Sequence, residues 1–373
     1  MDYYKKELDA LKKSNRLRDR KIYDTTSLVD MASNDYLGLS LKNKIFKKAS
    51  KEVLKQKSFS PRASLLVNGY SSIHQKFEKK LSVLNGFEEG IVVGSGFLAN
   101  ISLIESLIRK KDILFIDEDY HASGMLALKL VQGEVVVFKH NDYIELERKI
   151  IEYKKDTTNR IIIAIEGVYS MGGDIAPKEF DKVATKYDAI LLVDEAHSSG
   201  VIGDNLLGWF DHHNIDIKQN HIKMGTLGKA YGSYGAYILA SSYIISYLEN
   251  RAKPIIYSTA PSIIDIAIAI QSLKYIQKNR QKLKKKIKKY QKIVYDMLDI
   301  KTDSLIVPIV IDDNKKVLEL QKSLLDELFL IGAIRQPTVP KAILRVILQL
   351  GIKNKDLKQF CIQLGKINKA DNI

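Results

Sequence analysis

Three observations predict an α/β protein built on a mostly parallel sheet with helices on both faces. Between about residues 88 and 240, short β-branched runs alternate with amphipathic stretches of helical length. The runs are apolar throughout, not at every second residue, and each is followed by a segment long enough to cross back over a sheet. A strand that is apolar on both faces must be covered on both, which repeated strand–helix–strand winding achieves. Functional groups of such a sheet belong just beyond the carboxyl ends of its strands.

Taken in order, "GIVVGSG" reads as a strand and "FLANISLIESLIRK" as the helix after it. "DILFIDE" is the next strand, followed by the helical "HASGMLALKLV". "EVVVFKH" precedes a helix in "NDYIELERKIIEYKK", with Asn141 or Asp142 placed to cap it. "RIIIAIEGV" and "AILLVDEAH" flank "APKEFDKVATKYD", where Pro177 suits the first helical turn. After Pro261 the texture changes to one long helical stretch reaching about Leu298. Strand "SLIVPIVIDD", helix "NKKVLELQKSLLDELFLIG", strand "ILRVILQL" and helix "NKDLKQFCIQLGKI" complete the chain. This reading divides the chain into an N-terminal arm (1–44), a large domain (45–258) and a smaller α+β C-terminal domain (259–373).

Composition narrows the function. The 373 residues are 45% hydrophobic and 28% charged, as in ordinary globular proteins. No apolar run approaches the ~20 residues that span a bilayer, and the N-terminus lacks the apolar core of a secretory signal. A membrane role is therefore not expected, and the cytoplasm is the expected compartment. A lone cysteine, Cys361, excludes an intramolecular disulfide framework and a paired-cysteine metal site, so no metal is expected. The net charge of +15 raises the question of nucleic acid. Yet in the densest basic block, "QKLKKKIKKYQKIV", Leu283, Ile287, Tyr290 and Val294 recur at helical spacing. That is a core stripe with a solvated face, and no nucleic-acid module accompanies it.

Two constellations compete for the chemistry. Gly94, Gly96 and Ala99 in "GSGFLA" match a dinucleotide-binding turn, and Asp117 closes the next strand where a ribose-binding acid would sit. That reading gives a nicotinamide-dependent oxidoreductase. The second constellation is longer. "EGVYSMGGD" puts Ser170 after one strand, "LLVDEAHSSG" puts Asp194 at the end of another with His197 close behind, and "GTLGKAYGSYG" presents Thr226 and Lys229 among glycines. A strand-end acid and a lysine in a glycine-rich turn are what pyridoxal 5'-phosphate requires. The amine forms a Schiff base with the aldehyde, and the acid keeps the pyridinium nitrogen protonated so the ring can accept carbanion electrons.

The ordered motifs "SNDYLGLS", "NGYSSIHQKFEKKL", "SGFLAN", "YHAS", "EGVYSMGGDIAP", "VDEAHSSGVIG", "GTLGKA", "YSTAPS" and "RQPTVP" cover nearly the whole chain. Together they resemble the α-oxoamine synthases. These are pyridoxal-phosphate transferases of fold type I that condense an amino acid with an acyl-CoA and release carbon dioxide. "SNDYLGLS", "NGYSSIHQ" and "RQPTVPKAILRV" favour the biotin-pathway branch, which joins L-alanine to pimeloyl-CoA or pimeloyl-carrier protein. Glycine-using sister branches, such as the C-acetyltransferase, are the alternative. Three stretches depart from the family pattern: "SFSPRAS" at 58–64, Tyr231 and Tyr234 in "AYGSYG", and Glu195 in place of a second aspartate.

The resemblance implies a role for each matched residue. Lys229 carries the cofactor and moves protons, Asp194 pairs with the ring nitrogen, and His197 bonds its phenolic oxygen. His121 stacks on the ring. Gly96 and Phe97 offer amides to the phosphate, with Thr226 and Ser170 nearby. Ser258 and Thr259 reach the phosphate of a neighbouring subunit, which implies a homodimer. Arg18, Thr338 and Arg345 lie on the substrate side, Arg345 as a two-pronged clamp for a carboxylate.

Overall fold

The computed structural model describes residues 2–153 and 160–371. Lys154 and Lys155, at the end of the helix expected in "NDYIELERKIIEYKK", lie outside the described residues, as do Met1 and the last two residues of the chain. The chain forms two compact units. The larger comprises 37–170 and 174–284; the smaller comprises 1–36, 171–173 and 285–373.

The larger unit holds seven strands, β1 (Glu89–Val93), β2 (Ile113–Asp117), β3 (Glu134–Phe138), β4 (Ile161–Glu166), β5 (Ile190–Asp194), β6 (His221–Thr226) and β7 (Ala236–Ala240). Their order in the sheet is β1-β7-β6-β5-β4-β2-β3. Strands β2 to β6 are parallel, and β7 is antiparallel to both neighbours, β1 and β6. β1 therefore runs in the same sense as β2–β6, and all six end at one edge. Every residue of β2, β4 and β7 is buried, as their unbroken apolar runs demand.

Beside α1 (Ser72–Asn85), which the sequence reading left unassigned, the helices are α2 (Gly96–Leu107), α3 (Tyr143–Tyr153), α4 (Glu179–Lys186) and α5 (Ile263–Leu298). The helix expected in "HASGMLALKLV" is shorter, Ala122–Ala127 with a 3-10 turn after it. Of the two candidate caps of α3, Asp142 does the work: its Oδ1 accepts the Glu145 N–H at 2.8 Å. Asn141 instead takes a left-handed φ of 55° and donates to Asp174. Pro177 stands outside α4, one residue before its N-cap Lys178, and not in the first turn.

The smaller unit contains a three-stranded antiparallel sheet, β8 (Ile306–Val310), β9 (Gly332–Ile334) and β10 (Ile343–Ile347), in the order β9-β10-β8, with helices α6 (Asn314–Asp326) and α7 (Asn354–Asp371). Val29–Asp30 pairs with Phe329–Leu330 in a short parallel ladder. Residues 2–36 thus belong to this unit. The texture change after Pro261 marks the start of α5, whose first part, to Lys284, belongs to the larger unit. One continuous helix runs through that division, so no composition break signals it. Leu283, Ile287, Tyr290 and Val294 are all buried, as their spacing on α5 requires.

Candidate active site

One pocket opens where the parallel strands end. Gly96, Phe97, Asn100, His121, Glu166, Asp194, Ala196, His197, Met224, Thr226 and Lys229 line it. The sheet explains the gathering: β4 ends in Glu166, β5 in Asp194 and β6 in Thr226, while α2 begins just after β1 at the same edge. The register sets Glu166 beside Asp194 and Asp194 beside Met224.

Asp194 is buried, and both its oxygens are fixed. Oδ2 accepts from Asn100 Nδ2 at 2.9 Å and Oδ1 from the Ala196 N–H at 2.9 Å. Asn100 is itself held, accepting the Tyr120 hydroxyl at 2.8 Å and donating to Ser123 Oγ at 2.9 Å. Ser123 continues the chain to His121, whose Nδ1 lies 2.7 Å from that hydroxyl and accepts the Ser123 N–H at 3.2 Å. Because a backbone N–H can only donate, Nδ1 carries no proton and the neutral ring holds its hydrogen on Nε2. Burial pushes His121 below the ordinary imidazole value, with Asp194 pulling the other way and Lys229 adding to the fall.

The lysine turn is built by close approach. A side chain at Gly225 would meet the Tyr237 hydroxyl at 2.3 Å, and Gly235, at φ 111°, accepts the Thr226 hydroxyl at 3.1 Å. Lys229, half-buried, brings Nζ to 2.9 Å from His197 Nε2. Tyr231, one of the family departures, is fully buried and meets the Tyr237 ring edge-on, whereas Tyr234 is exposed. Glu195 is explained by the fully buried Lys223, 3.4 Å away, and by the Trp209 N–H that its carboxylate accepts at 2.6 Å.

The pocket suits pyridoxal 5'-phosphate by the chemistry of its donors. An amine and a fixed, buried carboxylate face the same cavity. At the start of α2, Ser95 occupies the Leu98 and Ala99 amides and leaves the first turn, with Gly96 and Phe97, facing the pocket. Backbone N–H groups and the positive end of a helix dipole favour a phosphate there.

Other expected residues fall elsewhere. Ser170 does not line the pocket; its N–H supports Glu166 at 2.9 Å. Ser258 and Thr259, which follow the short helix Lys253–Ile256, are also absent from the lining. In the smaller unit, Arg18 Nη2 donates to Thr338 Oγ1 at 2.9 Å, and the buried Arg345 donates to Asn34 Oδ1 at 2.9 Å and lies 3.5 Å from the Tyr36 hydroxyl. The nicotinamide reading fails at Asp117. That carboxylate is fully buried and already accepts from the Tyr169 hydroxyl and the Asn141 and Asp119 amides, with His140 against it, so it offers nothing to a ribose. The strand order also differs from that of a dinucleotide-binding sheet.

Asn100, Tyr120, Ser123 and Glu166 were not among the residues expected from sequence. Nothing in the sequence singles out Asn100, which shares the helix "FLANISLIESLI" with Ser102, Glu105 and Ser106.

Comparison with known proteins agrees with this geometry. A family model described as aminotransferase class I and II matches residues 26–364. The 8-amino-7-oxononanoate synthase of Helicobacter pylori strain J99 is 42% identical over 370 residues, covering 99% of this chain and 98% of that protein. The crystal structure of the Francisella tularensis 8-amino-7-oxononanoate synthase superposes with a TM-score of 0.76 at 28% identity, covering 93% of this chain and all of that one (100%). Sphingomonas wittichii serine palmitoyltransferase shares the fold, with a TM-score of 0.88 at 24% identity over 99% of this chain and 97% of its own.

Proposed function

The chain belongs to the aminotransferase class I and II family and, within it, to the 8-amino-7-oxononanoate synthases, and we propose that it condenses L-alanine with a pimeloyl thioester. The products are 8-amino-7-oxononanoate, carbon dioxide and the free thiol, in the biotin pathway. The observation that carries this reading is the pairing, across one pocket, of a fixed buried carboxylate, Asp194, with the amine of Lys229.

Pyridoxal 5'-phosphate, when bound, supplies an aldehyde that joins an amine and a ring that takes up the electrons of a carbanion at the alanine Cα. Lys229 is the base for the Cα proton and the acid that returns one after decarboxylation. Asp194 would hold a proton on the ring nitrogen, and its bonds to Asn100 and Ala196 keep the carboxylate from turning away. The neutral His121, held in place by Ser123, would pack on the cofactor. His197, 2.9 Å from the Lys229 amine, would bond the phenolic oxygen of the cofactor. Gly96, Phe97 and Thr226 would take the phosphate, with Ser170 assigned beside them. Arg18, Thr338 and Arg345 keep the substrate-side roles of the family, Arg345 for a carboxylate. Ser258 and Thr259 are assigned to the phosphate of a second copy, in a homodimer.

The test is product formation. Purified protein with cofactor, L-alanine and pimeloyl-CoA or pimeloyl-carrier protein is expected to release thiol and yield 8-amino-7-oxononanoate by mass spectrometry. Faster thiol release from glycine and acetyl-CoA would move the chain to a sister activity.

A further inference from the structure

Three acids close parallel strands of the larger unit, and Glu166 differs from the other two in how its oxygens are used. It is 1% exposed and stands beside Asp194 in the sheet register. Oε2 accepts the Ser170 N–H at 2.9 Å. Oε1 is buried and no donor among the described residues meets it in hydrogen-bond geometry, the His121 N–H acting on the carboxyl only from outside that geometry, while the side chain lines the pocket. Buried polar atoms are nearly always paired, so one left open toward a pocket marks a place where a ligand completes the bond. Each oxygen of Asp194, by contrast, already accepts one bond within the protein.

An ionised Glu166 would set a second negative charge beside Asp194, withdrawn from water, where like charges strongly disfavour each other. The neutral acid removes that repulsion. It also carries its hydrogen on Oε1, because Oε2 is already engaged as an acceptor. We propose that Glu166 serves as an uncharged hydrogen-bond donor, through Oε1, to an anionic oxygen of the ligand in this pocket. That oxygen is either the phenolic oxygen of the cofactor or the carboxylate of the amino acid joined to it. The surrounding groups agree: burial first and Asp194 second hold the Glu166 carboxyl well above the usual carboxylate range, against the smaller pull of Lys229 and the Ser170 and His121 amides. The buried hydroxyls of Tyr120 and Tyr169 also feel its charge, and the His121 and His197 side chains line the same pocket.

The inference rests on the pyridoxal-phosphate reading, and the experiment separates the two. Protein stripped of cofactor is titrated with pyridoxal 5'-phosphate and, once loaded, with L-alanine, reading dissociation constants from fluorescence and visible absorbance. Glu166→Gln, whose amide can donate in place of the acid, is expected to keep both constants within about threefold of the parent. Glu166→Ala is expected to weaken one of them by about tenfold or more, the loss of a hydrogen bond to a charged group. A loss in the cofactor titration assigns the phenolic oxygen; a loss confined to alanine assigns the carboxylate. Equal damage from Gln and Ala would overturn the proposal in favour of an ionised Glu166, and unchanged constants in Glu166→Ala would remove the donor altogether. A parent that binds no cofactor would overturn the underlying reading instead. Should Glu166→Ala not fold, the infrared difference between parent and Glu166→Gln at neutral pH decides: loss of a protonated-carboxyl band supports the proposal, and loss of a carboxylate band overturns it.

Discussion

Lys223 and Lys229 stand on and just after the same strand, β6, the first against Glu195 and the second in the pocket that Asp194 also lines, and they do opposite work. Lys223 is 1% exposed, lies 3.4 Å from Glu195 and donates to the Leu207 carbonyl. Glu195 in turn accepts from Ser198 and from the Trp209 and Phe210 amides. Burial pushes the Lys223 ammonium below its ordinary value, opposed by Glu195. Lys229, half-buried, points its amine at an imidazole nitrogen on the wall of an open pocket, across from Asp194. A buried charge enclosed by protein partners holds a fold together; the same charge at the mouth of a cavity is available for chemistry.

The comparison breaks most readily at the lysines themselves. Lys229→Ala is expected to lower turnover by on the order of 10³-fold or more, at the upper end of what general acid–base groups contribute, with the thermal midpoint nearly unchanged. Steady-state kinetics beside a melting curve would check both halves. Lys223→Met should reverse the pattern. Stranding Glu195 without its buried partner costs about 3–5 kcal/mol, so denaturant unfolding should shift strongly while turnover per folded molecule stays within a few-fold.

His140 sharpens the same distinction by pH. Burial disfavours its charge, but hydrogen bonds to Asp117 and Asp174, and their charges, outweigh that and raise it to about 10. A folded-state value above the ordinary 6.5 gives stability that is fully present below pH 6.5 and lost as pH rises through about 10. The stability gap between the parent and His140→Gln should therefore shrink steadily across that window, in unfolding measured at fixed pH steps. A gap that does not change with pH would remove the charged clamp. The smallest effect belongs to Asp142→Ala, which loses the α3 cap and about 1 kcal/mol, with turnover untouched.

Legibility in the sequence follows the same physics. The parallel sheet could be read because its strands are apolar on both faces, and Lys229, Asp194 and His197 because a glycine turn and strand ends mark them. Asp117, Glu166 and Asp194, however, all close apolar strands and look alike in one dimension. Only the structure shows Asp117 consumed by Tyr169, Asn141 and His140, Asp194 fixed by Asn100 and Ala196, and Glu166 left half-open. The chain of hydroxyls and amides through Tyr120, Asn100 and Ser123 was hidden for a related reason. Each stands in a turn or among other polar residues, with no spacing pattern to tie it to the others. The extent of the smaller unit was hidden by the continuity of α5.

The most direct test of the central distinction is borohydride reduction of the protein loaded with pyridoxal 5'-phosphate, followed by peptide mapping. The account predicts a stable adduct on the peptide carrying Lys229, with Lys223 unmodified. An adduct on Lys223 or another lysine, with Lys229 intact, would contradict it.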